Sequence, residues 1–223
     1  MSYRNLHRWH IWLGWLIGVP LILWTASGLF MAARPIDEVR GTHLRAQPLA
    51  LQTIRPVAPI LDGRATEKLT LEQRVNGPVW IIQYAGGDAR RADPASGALL
   101  PGISASEAMS LAKSYYSGRA KAVSTRRFAS EKAPLDLRKE RPSWQIVYDD
   151  GTHLYLDADS GSFLAIRTRY WRIYDFMWGL HIMDLQTREE TSHPVLIGFA
   201  AISFIALLMA FWMLVTRHRN RRR

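Results

Sequence analysis

Five of the chain's seven histidines stand where an apolar stretch meets a charged or turn-rich one. His10 lies at the edge of the first uncharged run, and His7 is one helical turn earlier. His193 precedes Pro194 at the start of the second run, and His218 lies just past its end. His181 sits in the segment Trp178-Gly-Leu-His-Ile-Met-Asp184. An imidazole can ligate a metal through one ring nitrogen or exchange a proton near neutral pH, and an ionisable group within a membrane defaults to a functional hypothesis. By depth, His10 pairs with His218 and His181 with His193. The competing readings are an interfacial residue for His10, a basic-tail residue for His218 and a packing or capping residue for His181.

Other chemistries find less support. With no cysteine, disulfides, thiolate catalysis, iron–sulfur ligation and covalent haem attachment through Cys-x-x-Cys-His are all excluded. There is no His-Glu-x-x-His, Gly-x-Ser-x-Gly, phosphate loop or dinucleotide fingerprint, hence no hydrolase signature. Asp157 and Asp159 could hold Ca²⁺ weakly, but a turn that favours Asp, Ser and Gly explains them equally well. His153 is expected on the exposed outer face of a hairpin.

The elements that must position these histidines begin with two apolar runs. Ile11–Ala33 and Pro194–Thr216 each hold 23 residues without a charge. At about 1.5 Å per residue each reaches roughly 34 Å as a helix, enough for a hydrocarbon core of about 30 Å. Arg4 and Arg8 flank the first; Arg217, Arg219, Arg221, Arg222 and Arg223 flank the second. The positive-inside rule then expects both termini in the cytoplasm and the central domain across a bacterial inner membrane, in the periplasm. The tails carry 7 of the 29 Lys+Arg and none of the 19 Asp+Glu, so the net charge of +10 falls to +3 in the centre. That basicity reports topology and lipid contact, not nucleic-acid binding. Gly14, Gly18, Pro20 and Gly28 suit close packing of the first helix on the second, with a possible kink at Pro20.

Between the runs, Pro78–Leu100 repeats as Pro142–Leu164, with 9 of 23 positions identical. In the second copy Trp144, Ile146 and Tyr148 alternate, Asp149-Asp150-Gly151 turns, and Thr152, Leu154 and Leu156 return on the same face. Asp157-Ala-Asp-Ser-Gly161 is a second turn. The first copy repeats this with Gly86-Gly87 and Asp93-Pro-Ala-Ser-Gly97, its return strand Ala89–Ala92 being more polar and expected to be less buried. Ser104 and Glu107 form a capping box for a helix reaching Tyr115. A short helix is expected over Val57–Asp62, a strand over Lys68–Val75, an exposed excursion over Ala129–Arg141, and an amphipathic juxtamembrane helix over Trp171–Leu185.

The hairpin ending in Asp-x-x-Ser-Gly, with a Ser-x-x-Glu-Ala helix, resembles the PepSY domain. His10-Ile-Trp-Leu-Gly14, Gly18-Val-Pro20 and Ser27-Gly28-Leu29 resemble the PepSY-associated transmembrane helix. The resemblance covers the chain from about Arg4 to the second apolar run. It implies an α+β, membrane-anchored fold, in which two transmembrane helices flank a periplasmic domain of two PepSY-like helix/hairpin halves. The expected segments are a cytoplasmic N-terminus (1–10), a first span (11–33), the periplasmic domain (34–168), a juxtamembrane helix and loop (169–193), a second span (194–216) and a basic tail (217–223).

Longer relatives include inner-membrane reductases of iron–siderophore complexes, with b-type haems held by membrane-helix histidines. The resemblance therefore implies haem b, with His10 and His181 as leading ligands, His7 and His193 as further candidates and Met183 as a possible axial ligand. Electrons would pass from a cytoplasmic donor to a periplasmic ferric acceptor, making the protein a haem-dependent ferric or siderophore reductase or its subunit. Two other readings stay open. One is an anchored, non-catalytic module whose PepSY face binds a peptide or protein. The other is an accessory subunit of a larger membrane complex, completed by a homodimer partner or a second membrane chain.

Overall fold

The computed structural model describes residues 3–221, and its contacts divide into two units: residues 36–172, and residues 1–35 together with 173–223. Arg222 and Arg223 of the basic tail lie outside the described residues.

The second of these units is built on two long helices, α1 (Tyr3–Ala32) and α5 (Pro194–Arg221). Both are long and apolar enough to cross a membrane, with mean hydropathy of 1.7 and 2.5 in their best windows. Only 11% and 6% of those windows is buried, so these are not the core helices of a globular body. Trp12, Trp15, Phe211 and Trp212 all point away from protein, which suits a lipid environment. The helices pack on each other, and their buried residues are Ile17, Ser27 and Ala206. Gly14 and Gly18, expected at that contact, instead face open space. A shorter helix, α4 (Arg169–His181), precedes α5. It stops at His181 and not at Leu185, because Met183 takes a left-handed backbone at φ 58° and the chain then coils around Asp184.

The β-rich unit opens with α2 (Ile36–Arg40) and contains two antiparallel four-stranded sheets of identical order. The first comprises β1 (Thr66–Arg74), β2 (Gly77–Tyr84), β3 (Ala89–Ala92) and β4 (Leu99–Leu100). The second comprises β5 (Ala122–Phe128), β6 (Ser143–Tyr148), β7 (His153–Asp157) and β8 (Phe163–Arg167). Their details coincide. Gly87 and Gly151 occupy the left-handed position of matching three-residue loops, closed by Tyr84 N–H to Asp88 and Tyr148 N–H to Thr152. Asp93 and Asp157 each accept hydrogen bonds from the two residues that follow at the same offsets, Ala95 and Ser96 or Asp159 and Ser160. Register shifts interrupt β1 and β5 opposite the same pair of β2 and β6 residues.

The halves diverge in what precedes the hairpin. In the second half, α3 (Ala105–Tyr115) lies on the sheet, and Leu111, Ile146, Leu154 and Leu156 form the main core. In the first half no helix forms over Val57–Asp62. Pro56 and Pro59 hold the residues before them in extended conformations, and the segment runs as a strap. Val57 N–H bonds Pro94 C=O at 2.8 Å, and Trp80 Nε1 donates to Val57 C=O at 2.8 Å. These match Ile103 N–H to Ala158 C=O at 2.9 Å and Trp144 Nε1 to Ile103 C=O at 3.0 Å. The duplication thus extends to the residue entering each sheet.

Three further expectations are corrected. Ser104 caps α3 through Glu107 N–H, but the Glu107 carboxylate pairs with Arg91 and not with its own cap. That pairing buries Arg91 on β3, so this return strand is not the exposed one its composition implies. The excursion Ala129–Arg141 packs inward at Leu137, against Tyr155 and Ala165.

Candidate functional site

His181 is the histidine most tightly built into the helical unit. Its ring stacks on Trp24 of α1, with centroids 4.6 Å apart and planes inclined by 15°. Gly28 makes room for it: a Cβ there would stand 3.1 Å from His181 Cε1. His181 Nδ1 lies 3.1 Å from Trp24 C=O and 3.2 Å from Ser27 Oγ. Ser27 Oγ donates its proton to Trp24 C=O at 2.8 Å, so towards His181 it can only accept. Both neighbours being acceptors, Nδ1 carries the proton. The neutral ring then bears its lone pair on Nε2, the arrangement that second-shell carbonyls impose on metal-ligating histidines.

The loop after His181 is rigidly tied. Asp184 accepts from the N–H groups of Gln186, Thr187, Glu189 and Glu190 and from the Thr187 hydroxyl. The Thr187 hydroxyl bond leads these contacts in holding the carboxyl well below the usual carboxylate range, overcoming the desolvation that opposes it. Arg188 Nη1 reaches Asp175 at 2.7 Å, and Trp178 Nε1 donates to Arg188 C=O at 3.1 Å. The Trp–Gly–x–His–x–Met–Asp spacing is thereby explained as a helix end folded back on itself.

The other histidines are placed differently. His193 accepts from Val195 N–H through Nδ1 at 3.3 Å, so that nitrogen is engaged at the start of α5 and the neutral ring carries its proton on Nε2. His7 and His218 are exposed, and His10 is half-buried with Nδ1 lacking a hydrogen-bond partner. His10 and Ser27 are 17 residues apart on α1, about 25 Å along the axis at 1.5 Å per residue. His10 and His181 therefore cannot share one iron. Among the described residues no group of three or more His, Cys, Asp or Glu could hold a metal ion. His181 thus offers a single imidazole nitrogen, and among the described residues no protein-made metal cage surrounds it.

In the β-rich unit, His153 is not exposed as expected. Its Nδ1 meets Asp136 Oδ2 at 3.0 Å, while Tyr155 donates to Asp136 Oδ1 at 2.7 Å. Burial, followed by the Asp136 carboxylate, pushes the Tyr155 phenol above its ordinary range. Asp136 lies in a charged segment with no periodicity, so nothing in the sequence signals its role. Asp157 is satisfied by its turn and by Arg141 at 2.9 Å, which leaves Ca²⁺ no part in explaining it.

Residues 102–167, spanning α3 to β8, match the family model described as "Peptidase propeptide and YPEB domain", or PepSY. The chain carries a PepSY domain in its second half, between two apolar terminal helices. No curated protein and no solved structure matches the chain.

Proposed function

We propose that this protein anchors a periplasmic PepSY domain in a bacterial inner membrane and binds haem b through His181 Nε2. It would take part in transmembrane electron transfer linked to iron uptake. The observation supporting this reading is the placement of His181 Nδ1 against the Trp24 carbonyl and Ser27 Oγ, which favours the tautomer with its lone pair on Nε2. A bound haem would supply one-electron transfer. Trp24 would orient the imidazole by stacking, Gly28 would give it space, and the Trp24 carbonyl would raise its basicity. With His181 as the suitable imidazole at this depth among the described residues, a second copy would be the natural source of another histidine for the same haem. His10, about 25 Å away along α1, would belong to a separate site near the other end of the helix.

The test is spectroscopic. The full chain, purified from haem-sufficient membranes, should show a Soret band that sharpens and shifts on dithionite reduction. His181→Ala should lose most of that signal, and His193→Ala should retain it. A wild-type protein without a Soret band, or one whose band survives His181→Ala unchanged, would overturn the proposal.

A further inference from the structure

Arg74 at the end of β1 is 7% exposed, and its Nη2 donates to Ser160 C=O at 2.8 Å. Its Nε and Nη1 are buried with no hydrogen bond to a described residue, although the guanidinium also acts on the Tyr115 phenol beside it. Among the described residues, the carboxylate paired with the guanidinium is Glu72, at 3.6 Å on the half-exposed side. A guanidinium does not deprotonate, and unpaired buried N–H groups on a charge are costly. Gly161 accommodates this group: a Cβ there would lie 2.8 Å from Nη1.

Arg74 lines a cleft of about 330 Å³ between the two sheets of the β-rich unit. Arg45, stacked on Phe163 at 4.5 Å, adds a second positive charge to its wall. Against these two cations stands the single carboxylate of Glu72, so the cleft favours an anion. Leu71 and Phe163, with the half-exposed Leu49 and Leu51, give it an apolar side. Leu49 and Leu51 belong to a strap whose backbone is tied by Ala46 N–H to Tyr115 and by Gln52 N–H to the Gln73 side chain.

We propose that this cleft binds a carboxylate carrying an apolar substituent, the chemistry of a peptide C-terminus or a short branched acid, with Arg74 as the anion anchor. It does not depend on haem at His181. The probes are N-acetyl-leucine, its amide and inorganic phosphate, titrated calorimetrically into the full chain in detergent micelles. N-acetyl-leucine should bind at least ten-fold more tightly than the amide, and Arg74→Gln should remove that preference. Because Arg74→Gln can also disturb folding, Glu72→Gln is the second variant. By removing the competing carboxylate it should tighten N-acetyl-leucine several-fold. Equal binding of acid and amide, no measurable binding of either, phosphate binding without the acid, or no effect of Glu72→Gln would each overturn the proposal. His181→Ala should leave the titration unchanged, so failure here is separable from failure of the haem reading.

Discussion

The two halves of the β-rich unit share strand order, loop geometry and register shifts, yet only one is capped by a helix. Ile82 and Ile146 occupy the same position in their respective copies, and both are fully buried. Ile146 belongs to a cluster with Leu111, Leu154, Leu156 and Ile166, whereas Ile82 packs mainly with Tyr84 and Ala92. The sheet is the repeated unit, and what lies over it sets how much apolar surface it buries. In the first half, residues 45–51 lie beside β1, and the cleft they line with Leu71 and Phe163 holds Arg74.

The sharpest way to break this comparison is to truncate the equivalent side chains. Ile146→Ala should cost about 3–5 kcal/mol and Ile82→Ala about 2–3, since truncation costs rise with the cavity that neighbours cannot fill. Urea denaturation of the two variants measures the difference. Equal losses would mean that the helix adds little to the second core.

Asp136 offers a smaller effect specific to the second half. Burial disfavours its ionised form, but hydrogen bonds from His153 and Tyr155 outweigh this and hold the carboxyl below its ordinary range. With the folded value depressed, its stabilisation is complete above the unfolded pKa and disappears as pH falls through the folded one. Asp136→Asn should cost about 1–3 kcal/mol at neutral pH and flatten the acid limb of the stability profile below about pH 4. An unchanged acid limb, followed by denaturation from pH 7 downwards, would remove the carboxylate from the account. Least costly is Ser104→Ala, at about 1 kcal/mol for a lost N-cap. A loss confined to α3, seen by amide exchange, is the expected signature.

The elements with strong periodicity were legible in the sequence. Alternation at Trp144, Ile146 and Tyr148, with Gly151 and Gly161 at turns, gave the hairpin and its partner copy. The two uncharged runs gave the terminal helices by length alone. Charged side chains that fold inward were not legible. Arg91, Arg74 and Asp136 read as surface residues because their burial depends on partners distant in the chain: Glu107, Ser160 and Tyr155. Val57–Asp62 failed as a helix because two prolines outweighed its apolar spacing. Of the candidate site, His181 was legible from its motif and its neighbours were not. Ser27 and Gly28 stood in the membrane-helix pattern, but only the fold shows that they receive an imidazole from about 150 residues further on, an order of separation that no local rule reaches.

The central functional claim is the tautomer of His181, and it can be observed without any haem. A long-range proton–nitrogen correlation spectrum of the histidine-labelled full chain in micelles, above the imidazole pKa, resolves which ring nitrogen is protonated. The account predicts a protonated Nδ1 and a bare Nε2 at His181, reversed at His193. A His181 ring protonated on Nε2 would contradict it.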